Sequence, residues 1–235
     1  MSVTTLKLAI LCNSPDCPAG SEKTVRMLAR GLPDCGVDVR VLVPNQGVFA
    51  EILRADGVPV EAIGGGQRPT SKAICELRNS LRERPVDVLQ LHLSRFFVPF
   101  LPRGVGVVER LNMTRYTAAG FYPMRQRWLD RFTARWIDQF VVVSESLRQQ
   151  FLDRGYPPES MQTIYNGVEL PVDPPVSTLR DELGLGAEVP LVGALGRLVE
   201  QKGIDVFLDI AARIRADWPE ARFVVAGEGE LRSDL

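Results

Sequence analysis

VVVSESLRQQFLDRGYPPESMQTIYNGVEL, residues 141–170, decides the fold. Gln139–Val143 is a short apolar run of the kind that fills a buried strand. Glu145–Arg154 follows with a helical pattern, and Met161–Tyr165 is a second strand-like run. A strand, a helix and a strand in so short a length form a βαβ unit. Its two strands run parallel, because the helix carries the chain back to the starting edge.

The same rhythm extends toward the amino terminus. Leu6–Leu11, Val37–Val43, Pro59–Ile63, Val86–Leu91 and Val105–Leu111 read as strands. Ser21–Leu32, Val48–Ala55, Thr70–Arg84 and Met124–Asp138 read as helices. Alternation of this kind predicts an α/β domain with a parallel sheet covered on both faces. Leu6–Leu11, Val86–Leu91 and Gln139–Val143 are expected to be buried on both of those faces. VELPVDPPVS, Val168–Ser177, breaks the rhythm with three prolines and reads as a linker. Beyond it Pro190–Leu195 and Ala221–Ala226 are strand-like and Ile204–Ala216 is helical. The expected division is a Rossmann-like domain over 1–170 and a linker with a second, incomplete Rossmann-like domain over 171–235. Two parallel strands do not make a stable domain by themselves.

Composition narrows the function classes. The 235 residues are 45% hydrophobic and 24% charged, with a formal net charge of -1. Such a chain builds an ordinary core without a staple, and its bulk charge gives no ground for nucleic-acid binding. No apolar run is long enough for a bilayer span. The opening MSVTTLKLAI reads as a first strand and not as a secretory signal. The expectation is a cytoplasmic protein, peripheral at most to the inner face of a membrane. Cys12, Cys17, Cys35 and Cys75 lack C-x-x-C spacing, and His92 is the one histidine. They are expected to be buried free thiols, with no metal site.

Several loops fall where strands hand over to helices, the usual ligand edge of an α/β sheet. Asn13–Gly20 leads into the helix beginning at Ser21, and Gly20 permits close approach to an anion at the helix amino end. GRLVEQKG, Gly196–Gly203, places Arg197 after a strand and Lys202 before a helix. A forked guanidinium and an ammonium there suit a diphosphate. GEGEL, Gly227–Leu231, is either a tight turn or a ligand loop. Asn166–Gly167 favours a turn with positive φ. His92, just past a strand, is either a structural or a site residue.

Together these segments resemble the glycogen-synthase-like glycosyltransferases, family 4, of the GT-B fold. The carriers are residues 141–170, GRLVEQKGIDVFLDIAARI with ARFVVAGEGEL, and AGSEKTVRMLARGL, in the family's order. Tyr165 stands where the family usually has proline, and Ala19 where it has the first of two glycines. The resemblance implies transfer of a sugar from a nucleotide diphosphate sugar, usually with retention, with no cofactor and no metal at the reaction centre. It implies that Gly20, Arg197 and Lys202 hold the donor diphosphate, and that Arg197 and Lys202 stabilise charge on the leaving group. Many members carry a histidine after the strand matching Gly104–Leu111; here Glu109 or Arg110 stands in its place. The family's spaced pair of glutamates, which hold the donor's sugar and ribose, would fall beyond Leu235. His92, Glu109, Arg110, Arg115 and Tyr116 are the candidate acceptor or sugar contacts. The implied partners are a nucleotide-sugar donor and a saccharide or lipid-linked acceptor, and no nucleic acid.

Two other readings stand beside this one. A non-catalytic or truncated GT-B module would bind or regulate without turnover. A nicotinamide-dependent oxidoreductase shares the βαβ units but wants a G-x-G-x-x-G that is absent after the first strand. Finally, residues 110–135 are locally basic and interleaved with aromatics. Met124, Trp128, Phe132 and Trp136 recur every four positions. They predict either a stripe packed on the sheet with arginines in solvent, or a basic face for weak association with anionic lipid.

Overall fold

The computed structural model describes residues 5–12, 20–64, 70–92, 95–111, 131–173 and 176–235. The chain divides into two compact units, Met1–Val168 and Glu169–Leu235.

The first unit is built on a seven-stranded sheet. Its strands are β1 (Leu6–Cys12), β2 (Val37–Val43), β3 (Val60–Ala62), β4 (Val88–His92), β5 (Gly106–Leu111), β6 (Gln139–Val142) and β7 (Met161–Thr163). The order is β3-β2-β1-β4-β5-β6-β7, and every pairing is parallel. The helices are α1 (Gly20–Gly31), α2 (Val48–Ala55), α3 (Ser71–Glu83) and α4 (Glu145–Leu152). The predicted α/β class with a parallel sheet is what forms. Boundaries move by a residue or two, because caps decide where helices begin. Thr70 and Ser144 sit in extended conformation and accept hydrogen bonds from Ala73 and Leu147 backbone N–H groups, at 3.2 Å each.

Two apolar layers cover the sheet, one on each face. One gathers Ala9, Leu11, Leu89, Leu91, Val107, Leu111, Phe140 and Val142 with α3 and α4 residues such as Leu77 and Phe151. The other gathers Ile10, Cys12, Val39, Val41 and Val43 with Val25 of α1 and Leu53 of α2. Side chains alternate between faces along each strand, so central strands contribute to both.

Arg40 of β2 is an instructive buried charge. It donates to the carbonyls of Ser80 and Arg84 at the end of α3, at 3.3 and 2.7 Å, and lies 3.9 Å from Glu61. A guanidinium at a helix carboxyl end satisfies orphan carbonyls and meets the negative end of the dipole.

Three expectations are corrected. Cys12 is buried, but Cys35 and Cys75 are free and exposed. Cys35 ends a short 3-10 turn, and Cys75 lies on the side of α3 away from Ala73 and Leu77; Cys17 is outside the described residues. The aromatic stripe does not pack on the sheet where it is described. Thr133 and Ile137 turn inward, while Phe132 and Trp136 remain 46% and 39% exposed. Their rings meet edge to face at 4.9 Å, with the Arg135 guanidinium 4.2 Å from the Phe132 centroid. Met124 and Trp128 lie outside the described residues. Gly167 does not take positive φ; it lies in an irregular segment, a possible Cβ 3.5 Å from Met27 of α1.

The second unit holds α5 (Leu179–Glu182), β8 (Leu191–Leu195), α6 (Ile204–Asp217) and β9 (Arg222–Ala226). β8 and β9 pair in parallel, with α6 as the crossover. Leu198, Ile204, Ala211 and Ala221 are buried. Val192, Leu195, Val206 and Ile210 are exposed, because a two-stranded sheet leaves a face of both strand and helix uncovered.

Candidate functional site

In the first unit the strand order reverses direction between β1 and β4. Connections diverge there and leave a crevice at the carboxyl ends, where open α/β sheets take their ligands. Register sets Cys12 against His92, His92 against Arg110, and Arg110 against Val141. Residues in register share a face, so His92 and Arg110 stand side by side on the α1 face of the sheet.

His92 is fully buried at the end of β4. Its Nε2 lies 2.8 Å from the side-chain nitrogen of Gln90. An amide NH2 only donates, so Nε2 accepts and the ring carries its proton on Nδ1. Burial, and then the charge of Arg110, push the imidazole pKa from 6.5 down to about 3. The ring is therefore neutral at physiological pH.

Arg110 is 6% exposed, and its Nη2 donates to Asn166 Oδ1 at 2.6 Å. Burial lowers its pKa as well. Glu109, though next in sequence, faces the opposite apolar layer, against Leu91 and Phe140 in register. The two residues that share one alignment position thus serve different faces, because strand side chains alternate. Arg115 and Tyr116 lie outside the described residues.

Gly20 is the first residue of α1, exposed, with open space where a Cβ would stand. Two residues on, Glu22 is completely buried, and Ser21 Oγ donates to its Oε2 at 2.8 Å. A carboxylate in the first turn suits the helix dipole. Glu22, Gln90 and Asn166 were not singled out as site residues by the sequence reading. Only the glutamate had a signal, its place after the glycine in the helix opening.

In the second unit Arg197 and Lys202 occupy the loop after β8. Gly196 N–H donates to the Ala226 carbonyl and Leu198 N–H to the Glu228 carbonyl, at 3.0 and 2.9 Å. The loops after β8 and β9 are thereby zipped together backbone to backbone. Gly227 and Gly229 are needed for that approach. A Cβ on Gly227 would overlap the Gly196 carbonyl oxygen and lie 2.9 Å from its carbon. One on Gly229 would overlap the Leu198 carbonyl oxygen and lie 2.7 Å from the Leu198 nitrogen. The Lys202 stem crosses Gly196, about 3.8 Å from a possible Cβ there. Gly203, at φ 60°, turns the chain into α6. The Arg197 and Lys202 side chains are exposed and form no ion pair among the described residues. Two cations without an ion pair among the described residues, at a strand's carboxyl end and a helix amino end, are of a chemistry that suits anionic oxygens.

Among the described residues no group of three or more His, Cys, Asp or Glu is placed to hold a metal ion. No described helix is long and apolar enough to cross a membrane.

Comparison with known proteins gives the chemistry a context. The family model Glycosyltransferase Family 4 matches residues 18–171. Glycogen synthase 2 of Geobacter metallireducens is 48% identical over 56 residues, 23% of this chain and 11% of that protein. Alpha-maltose-1-phosphate synthase of Mycolicibacterium smegmatis is 30% identical over 98 residues, 38% of this chain and 25% of that protein. Among solved structures, Anabaena HepE in complex with UDP and glucose superposes with a TM-score of 0.73 at 19% identity. That match covers 97% of this chain and 63% of HepE.

Proposed function

This chain belongs to Glycosyltransferase Family 4, and from that premise we propose that it transfers a sugar from a nucleotide diphosphate sugar to an acceptor. The observation that carries the reading is the loop after β8, where Arg197 and Lys202 stand without counter-ions among the described residues, on two glycine-locked turns. These side chains hold the donor diphosphate. Gly20, opening α1, offers backbone N–H groups to further negative charge on the donor. As the glycosidic bond breaks, the diphosphate gains charge, and fixed cations stabilise that state more than the ground state. They take the part that a metal plays in other phosphate-handling sites, and transfer proceeds with retention. The acceptor, a saccharide or a lipid-linked one, is received at His92 and Arg110 on the first unit, with Arg115 and Tyr116 from the segment beyond β5.

Arg197→Ala removes a charge-assisted contact worth about 1.5–3 kcal/mol, so UDP affinity should fall roughly 10- to 100-fold. Isothermal titration of UDP into wild type and variant measures this. Equal dissociation constants would sink the donor assignment. With a competent acceptor, the anomer of the product and the effect of a chelator report on retention and on the metal in the same assay.

A peripheral placement at the inner face of a membrane is supported by exposed Phe132 and Trp136 beside Arg131 and Arg135. Aromatic rings and arginines in one patch suit the headgroup level of an anionic bilayer. Cosedimentation with vesicles containing phosphatidylserine should exceed that with neutral vesicles at low salt and vanish as salt rises. Equal recovery with both vesicles would remove the membrane from this proposal.

A further inference from the structure

Arg110 has a feature that sugar recognition alone does not require. Its side chain is 6% exposed, yet its Nε has no hydrogen-bond partner. One Nη reaches Asn166, a neutral amide. Among the described residues no acid offsets the burial: the guanidinium is perturbed by desolvation, and Glu109 faces the other side of β5. The adjacent ring, His92, is neutral. Arg40 shows the contrast. It too is buried and has N–H groups without a partner, at Nε and Nη1, but it spans two helix-end carbonyls and lies by Glu61, whose charge acts on it. The Arg40 charge is offset within the fold, and the Arg110 charge is not offset among the described residues.

A buried cation without a counter-ion is destabilising, and it persists where something else gains from it. Arg110 sits at the carboxyl edge of β5, in register with the ends of β4 and β1 where the strand order reverses. There an oxyanion would both neutralise the charge and take up the idle N–H. A guanidinium binds phosphate through paired N–H groups in one plane.

We propose that Arg110 is the anchor for a phosphate group carried by the acceptor, so that the acceptor class is a phosphorylated or phosphodiester-linked molecule. The proposal rests on the assignment of the first unit to the acceptor, and it is independent of Arg197. His92 and Gln90 line the place as neutral hydrogen-bonding groups, and Asn166 holds the guanidinium plane.

The test is thermal unfolding of the full chain at matched ionic strength, with inorganic phosphate, glycerol 3-phosphate or UDP as probe. Wild type and Arg197→Ala should both be protected by the two small phosphates in a saturable way. Arg110→Met should lose that protection and melt at or above the wild-type midpoint, since it buries no charge and Asn166 is exposed enough to bind water. UDP should behave in reverse, losing its effect in Arg197→Ala and keeping it in Arg110→Met. If Arg110→Met does not fold, Arg110→Lys keeps the charge without the fork, and phosphate affinity should drop about tenfold. Undiminished phosphate protection in either variant, or none in wild type, overturns the proposal. Protection by inorganic phosphate but not by glycerol 3-phosphate overturns the acceptor assignment. UDP protection that survives Arg197→Ala sinks the donor reading and leaves Arg110 standing.

Discussion

Gly227→Ala is expected to abolish UDP binding and to destabilise the second unit by about 3 kcal/mol, near the upper end for overpacked sites. The added methyl has nowhere to go. It would overlap the Gly196 carbonyl oxygen, and the nearest atoms are backbone on both sides. A flexible side chain would swing away; two hydrogen-bonded loops do not. Gly196 N–H is bonded to the Ala226 carbonyl and Leu198 N–H to the Glu228 carbonyl, so relief must break this zipper. Arg197 lies between those two anchors and would lose its position. Titration calorimetry with UDP and urea unfolding followed by Trp218 fluorescence measure the two effects. Gly31→Ala is the control. It stands in open space at the end of α1 and should change neither quantity appreciably. Wild-type UDP affinity in Gly227→Ala would show that the two loops are not a single rigid platform.

The second large effect is a loss of stability in mild acid, carried by His92. Its imidazole titrates at about 3 in the fold, against 6.5 in a solvated chain. Between those values the unfolded chain binds a proton that the native chain refuses. Stability therefore rises with pH through this window and is lost as pH falls below about 6.5. Each unit of pH is worth about 1.4 kcal/mol, so descending from pH 7 to about pH 5 should cost roughly 2 kcal/mol. His92 is the chain's one histidine, which leaves that window otherwise nearly silent, the carboxylates titrating lower. His92→Gln keeps a polar group beside Gln90 and removes the titration. Urea midpoints at the two pH values should then differ far less than in wild type. An unchanged pH slope in His92→Gln would mean that the native imidazole accepts its proton freely.

The architecture was legible because it is carried by short-range pattern. Buried parallel strands need unbroken apolar runs, and Leu8–Cys12, Val41–Val43 and Phe140–Val142 supply them. Thr70 and Ser144 mark helix starts with their own side chains. The loop of Arg197 and Lys202 was legible too, since each stands within a few residues of a strand end or helix start. The aromatic stripe left two readings open because period-four spacing finds a face without saying which way it points. Trp136 and Phe132 share a face, and that face looks outward. Asn166 read as a turn because an Asn-Gly pair says nothing of a partner 56 residues away.

What the sequence determined by itself is the succession of βαβ units, which follows from periodicity, and, through motifs that resemble a known family, the family to which the chain belongs. Both rest on patterns a few residues long, which survive without knowledge of neighbours. Only the tertiary structure decided which face each of Glu109 and Arg110 takes, and that Arg110 meets His92 and Asn166. Only it decided that Gly227 must lack a side chain. These facts depend on register between strands far apart in sequence, where a shift of one residue exchanges the faces. Burial then gives them chemical weight, because a charge or an imidazole removed from water is governed by what the fold places beside it.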